Sequence, residues 1–248
     1  MKAPRCRLIL SGLLLAVSLR AGSRESAFRA REMIGPDVWS RVIRVENRPV
    51  APGSRYPAEF YGLVIAFEGI LWFYSEFDGT QNLSLVRDHL AEDQARLGGL
   101  LQSVEPGLCS FADVSDEPPP RFRRGEPLRN GCFIGCVARW QQLRREPRPP
   151  TRARLIAVYP RAERQGHIML EFWRGDRRYV FDPDEPARSR QLPDRLAGDP
   201  VSVAWSILQR RHGLRPVRGV ALELSMNTPT GHRRLMESEP DSRPARAG

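Results

Sequence analysis

Lysine is almost absent from this sequence. Lys2 is the only one in 248 residues, although lysine and arginine together number 39. A chain shortened past that residue could not crosslink to itself through a lysine side chain. Cysteine is also scarce. Three of the four cysteines, Cys109, Cys132 and Cys136, lie beyond residue 23. An odd number rules out complete pairing within the chain and leaves at least one thiol unpaired. One candidate bridge joins Cys109 to Cys136, leaving Cys132 as the thiol. Cys132 and Cys136 are spaced C-x-x-x-C, and no C-x-x-C and no H-x-x-x-H accompanies them, which argues against a zinc site. There is no sustained heptad pattern and no repeat of about 33 to 45 residues, so coiled-coil and solenoid architectures are excluded. No nucleic-acid-reading motif accompanies the arginines, which are scattered rather than clustered. The formal charge of +10 is therefore not read as a nucleic-acid footprint, and no nucleic-acid partner is expected.

The longest apolar run near the N-terminus is Leu8 to Leu19. It is shorter than the roughly 20 residues of a spanning helix, but it suits the core of a signal peptide. Basic residues precede it, and Ala21, Gly22 and Ser23 offer small residues for cleavage. Residues 1–23 are read as a signal peptide, with a periplasmic or secreted product and no integral membrane span after processing. They carry Lys2, Arg5, Arg7 and Arg20 and no acid, so their removal leaves +6. Export would permit disulfides.

Along the remaining chain, Val42 to Glu46 reads as a strand. Tyr61–Phe67 and Ile70–Tyr74 flank Glu68-Gly69 as a tight hairpin. FDGTQNLS then reads as a turn or loop around Asp78-Gly79. Apolar residues at 86, 90, 97, 100, 101 and 104 predict a helix over 85–104, with Ser84 as its cap. Residues 113–129 form a long polar loop. A helix runs from Cys132 to about Arg145. Strands follow at Ala153–Tyr159, Gly166–Trp173, Tyr179–Asp182 and Gly219–Leu224, with a helix opened by Asp199-Pro200 before the last. The polar residues 225–248 read as a disordered tail. This is an α+β pattern. Its divisions are 24–112, a strand hairpin plus helix, and 113–224, a helix packed on an antiparallel sheet.

Cys132 raises the central chemical question. At the start of a helix a thiol feels unsatisfied N–H groups and the positive end of the helix dipole, which favour thiolate. A thiolate nucleophile needs an imidazole, and the imidazole needs an orienting acid. His167 begins the strand GHIMLEFWR. A hairpin loop of two or four residues places Asp182 on the same face as His167, whereas a loop of three places it opposite. Asp184 shares the parity of Asp182 but follows Pro183, where the ladder is expected to end. Cys132 could instead be buried packing, a partner in a disulfide, or a metal ligand with Cys136 and His167. Cys136 reads as core, one turn below Cys132.

Cysteine at a helix start, then His on a strand, then Asp-Pro after the next strand, resembles the transglutaminase-like branch of the papain-like cysteine peptidase superfamily, as in its bacterial members. The resemblance covers about residues 125–190. It rests on Cys132 with Cys136 at the small position, on Leu143-Arg144, and on Pro150-Thr151-Arg152. It continues through His167, Leu170, Glu171, Tyr179, Asp182 and Pro183. Gly131 stands directly before Cys132, where relatives carry the glycine two positions before. The resemblance implies a papain-like core whose helix bears the nucleophile. It also implies a Cys132–His167–Asp182 triad acting on a peptide, protein or amide substrate, with no cofactor and no metal. Its bacterial members point to hydrolysis rather than acyl transfer.

Acyl transfer also requires oxyanion donors. The Cys132 N–H supplies one, and Gln81, Asn82 and Trp72 are candidates for a second. Two other readings stand beside the enzyme. One is a non-catalytic binding module of the cell envelope with the same fold. The other is a basic envelope protein that holds acidic polymers through its arginines, with salt-sensitive binding.

Overall fold

The computed structural model describes residues 22–48, 56–85, 94–104, 108–122, 127–160, 166–185, 190–191, 216–224 and 235–238. The described architecture is mixed α+β, with two antiparallel sheets and few helices. The chain divides into two compact units, Met1–Gly131 and Cys132–Gly248. Residues 113–131, grouped by the sequence with the second half, thus belong with the first. Side-chain bonds explain why. Arg31 donates to the Ser115 carbonyl at 2.7 Å, and Arg29 to the Pro127 carbonyl at 2.7 Å.

The first unit begins with helix α1 over residues 22–34. Gly22 and Ser23, the last residues of the expected leader, lie in it, and the Ser23 hydroxyl accepts the Tyr61 N–H at 3.2 Å. Five strands follow: β1 (Ser40–Asn47), β2 (Glu59–Phe67), β3 (Ile70–Ser75), β4 (Gly79–Leu85) and β5 (Leu108–Asp113). Their sheet order is β4-β3-β2-β1-β5. Helix α2 (Gln94–Val104) precedes β5. Alternating apolar residues of β1 and β2 bury Ile43, Val45, Phe60 and Val64 with Leu97 and Leu101 of α2. The β2–β3 hairpin turns on Glu68 and Gly69, with φ of 52° and 71°, the two positive values that a type I′ turn needs.

Two expectations are corrected here. The stretch read as the loop FDGTQNLS is a turn only to Asp78, because Gly79–Leu85 pairs with β3. Ser84 accordingly lies opposite Leu71 in the sheet and does not cap a helix. The polar composition of this stretch hid an edge strand, which needs one neighbour and little apolar character. The expected helix is described only as α2, and its first half, including His89, lies outside the described residues.

The second unit opens with α3 (Cys132–Arg144). Its sheet comprises β6 (Arg152–Pro160), β7 (His167–Arg174), β8 (Arg177–Phe181), β9 (Arg190–Gln191), β10 (Pro216–Glu223) and β11 (Leu235–Ser238). The order is β11-β10-β6-β7-β8-β9. Helix α3 packs against β7 and buries Phe133, Ile134, Val137, Trp140 and Leu143. Met169, Leu170 and Phe172 of β7 are buried as well. Further along β7, Glu171 is fully buried and receives both Arg154 and Arg178. Leu235–Ser238 pairs with β10 inside the stretch read as a disordered tail, since Leu235 and Met236 can extend a sheet edge. His212, His232 and the expected helix after Asp199-Pro200 lie outside the described residues.

Candidate active site

Three elements of the second unit converge at one end of β7. Cys132 is the first residue of α3, His167 the first of β7, and Asp182 follows the last residue of β8. The β7–β8 register decides the geometry. Arg174 pairs with Arg177, leaving the two-residue loop Gly175-Asp176, and Leu170 pairs with Phe181. That even loop puts Asp182 on the face of His167, one pair away along the ladder.

The His167 Nε2 and the Asp182 Oδ1 lie 2.9 Å apart. A carboxylate only accepts, so the imidazole donates through Nε2. The same Oδ1 accepts the Asp184 N–H at 3.0 Å, which fixes the carboxylate in its turn. Asp182 is buried and Cys132 half-buried, while the His167 side chain keeps 17% of its surface. With Nε2 committed, Nδ1 is the nitrogen left for proton exchange. The Asp184 Oδ2 lies 3.8 Å from it, on a side chain that is 59% exposed.

Burial disfavours the charged imidazole of His167. Hydrogen bonding to Asp182 and to Cys132, together with their charges, outweighs it and raises the His167 pKa from 6.5 to about 10. The ring is therefore an imidazolium at neutral pH. The two cysteines of α3 differ sharply. The Cys136 thiol donates to the Ile168 carbonyl at 3.5 Å, and burial, reinforced by the charges of Cys132, Asp182 and Asp184, pushes its pKa well up. It is a packing residue and remains a thiol. The candidate Cys109–Cys136 bridge is not formed, because the Cys136 sulfur sits in the core of the second unit while Cys109 is exposed on β5.

Trp72 and Gln81 belong to the first unit. The Trp72 indole donates to the Phe67 carbonyl at 3.2 Å, and the Gln81 amide lies 3.5 Å from Asp78 Oδ2. Each of these donors thus has a partner near its own strand. Asn82 lies opposite Trp72 in β4. As the first residue of α3, Cys132 has no acceptor for its N–H within its own helix.

Sequence reasoning missed Gly135. A Cβ there would stand 2.8 Å from Pro183 Cβ, closer than packing allows. The bare glycine lets α3 approach the Asp182-Pro183 corner, and a glycine inside a helical pattern was the available signal.

Among the described residues, His167, Asp182 and Asp184 offer possible cation ligands within 4.8 Å of one another. Asp182 Oδ1 already accepts two N–H donors, which suits an orienting acid better than a ligand. Cys136 is not part of this group, and its thiol donates to the Ile168 carbonyl at 3.5 Å.

No protein-family model, curated protein or solved structure matches this chain. No described helix is long and apolar enough to cross a membrane.

Proposed function

We propose that this protein is an exported thiol enzyme with a transglutaminase-like core, cleaving or transferring peptide or amide bonds. The observation that carries the reading is the 2.9 Å pairing of His167 Nε2 with buried Asp182, on a ring that is also hydrogen-bonded to Cys132. The Cys132 sulfur, its proton carried by Nδ1, attacks the substrate carbonyl. The collapsing intermediate expels an amine, which takes the Nδ1 proton and leaves an acyl-thioester. Water or a second amine then gives its proton back to the imidazole, attacks the thioester and releases Cys132. Asp182 holds the ring and stabilises its charge throughout. Water as acceptor makes a hydrolase, and the resemblance to bacterial members favours that outcome.

The test is iodoacetamide labelling of Cys132 against pH, mapped by mass spectrometry, in wild type and His167→Ala. The reading expects fast labelling near neutral pH that slows markedly in the variant. An inert Cys132, or one indifferent to His167, would remove its chemical basis. A second reading, a non-catalytic module of the same fold, draws on the engagement of Trp72 and Gln81 with other partners, which leaves a second oxyanion donor unassigned. Inert Cys132 would favour it.

A further inference from the structure

Asp184 is a charged group of the candidate site that the reaction above does not use. The corner that carries it is closely held. The Glu185 N–H donates to the Asp182 carbonyl at 3.0 Å, closing a turn with Pro183 at its second position, where proline presets the backbone. The Asp184 N–H donates to Asp182 Oδ1 at 3.0 Å. Pro183 packs on the bare Gly135 of α3, where an added Cβ would stand 2.8 Å away. The backbone of Asp184 is thus fixed to the acid of the triad, while its side chain is 59% exposed. Its Oδ2 lies 3.8 Å from His167 Nδ1, and Asp182 faces the other nitrogen, Nε2, at 2.9 Å. The imidazole therefore has a buried carboxylate at one nitrogen and a solvent-facing one beside the other.

Nδ1 is the nitrogen at which the substrate amine takes or gives its proton. To do so the amine nitrogen must come within about 3 Å of Nδ1. Groups attached to that amine then pass close to Asp184 Oδ2. A positive charge among them is attracted and a carboxylate is repelled. We propose that Asp184 is a specificity-determining residue. It selects amides whose amine side carries a positive charge close to the reacting nitrogen, and it disfavours those with a carboxylate there. The last bond of a peptide, whose departing amine bears the terminal carboxylate, is on this account a poor substrate. The inference rests on the thiol-enzyme reading above and names the amine side of its substrate. The chain as a whole carries a formal charge of +10 and would by itself draw anions. A preference for cations at Cys132 is therefore of the opposite sign to the background.

The experiment labels the full chain with methanethiosulfonates, in which a thiolate attacks the reagent sulfur, a mixed disulfide forms and methanesulfinate leaves. The trimethylammonioethyl, methyl and sulfonatoethyl reagents supply a positive, a neutral and a negative probe. Rates at Cys132 are mapped by mass spectrometry in wild type, Asp184→Asn and Asp184→Ser. Both variants keep the backbone N–H that holds Asp182, and thermal melting shows that each is folded. The urea-unfolded chain gives the intrinsic order of the reagents. In folded wild type the cation-to-anion rate ratio should exceed the unfolded value by about fivefold. It should shrink as salt is raised and fall to near the unfolded value in either folded variant. A wild type without cation preference, or a folded variant that keeps it, would overturn the proposal. Rapid labelling by the neutral reagent would in that case leave the thiol-enzyme reading standing. If the neutral reagent labels folded Cys132 no faster than the unfolded chain, that reading fails and the proposal falls with it.

Discussion

His167 is a residue whose neighbours change its titration strongly. Unfolded, it titrates near 6.5, and folded, near 10. Between those values the folded chain binds a proton that the unfolded chain has lost. The contribution to stability is therefore complete below about pH 6.5 and disappears as pH rises through 10. Urea unfolding should show stability falling over that window, with a clearly shallower slope in Asp182→Asn, which removes the charge facing Nε2. An equal slope in the two proteins would contradict the pairing. The cysteines separate in the same terms. Only unfolding should make Cys136 alkylate, because its thiol is buried and bonded to Ile168. Native labelling of Cys136 at the rate of Cys132 would count against this packing. The candidate residues were legible in the sequence as types in an order. That Nε2 takes the acid was not, since the ring's orientation follows from three-dimensional packing and no periodicity encodes it.

At the scale of elements, alternation along the strands was a reliable guide wherever one face is buried. The extents of β2, β3, β6, β7 and β8 follow the apolar pattern closely. The even β7–β8 loop was one of the alternatives left open, and the register settles it. Edge strands escaped notice, as in β4 and the two-residue β9, because an edge demands little apolar character. Close approach escaped too. Gly135→Ala should raise helix propensity by about 1 kcal/mol. Its new Cβ, however, would press on Pro183 from 2.8 Å. The melting temperature should fall rather than rise, and Cys132 labelling should slow with it. A stabilised variant with wild-type labelling would show that α3 and the Asp182 corner need no such approach. Glu171 tests the other end of the same face. Removing it in Glu171→Ala takes from Arg154 and Arg178 the fully buried carboxylate that both engage, while Arg154 keeps Glu223 at 3.8 Å. The loss should be about 3 kcal/mol in urea unfolding, and a loss near zero would mean that the other partners of the two guanidinium groups, Glu223 and the Trp173 ring among them, suffice.

At the scale of the whole molecule, composition makes export directly readable. Because Lys2 is the only lysine, a chain cleaved after it carries one reactive amine, its new N-terminus. Amine labelling of protein recovered from cells should give a single modified peptide beginning near residues 21–24. Labelled Lys2 in the accumulated protein would contradict cleavage. The division of the chain was less legible. The polar, proline-rich segment 113–129 looks like a connection, yet its carbonyls are held by arginines of α1, and the boundary moves to Gly131. Long-range bonds from side chain to backbone leave no trace in local pattern. The central claim is that three elements of the second unit build one coupled site from Cys132, His167 and Asp182. Its most direct test is an NMR titration of the His167 ring in wild type, Cys132→Ser and Asp182→Asn. The account predicts a ring that stays protonated through neutral pH, titrates near 10 in wild type, and titrates lower in each variant. A His167 that titrates near 6.5 in all three proteins would contradict it.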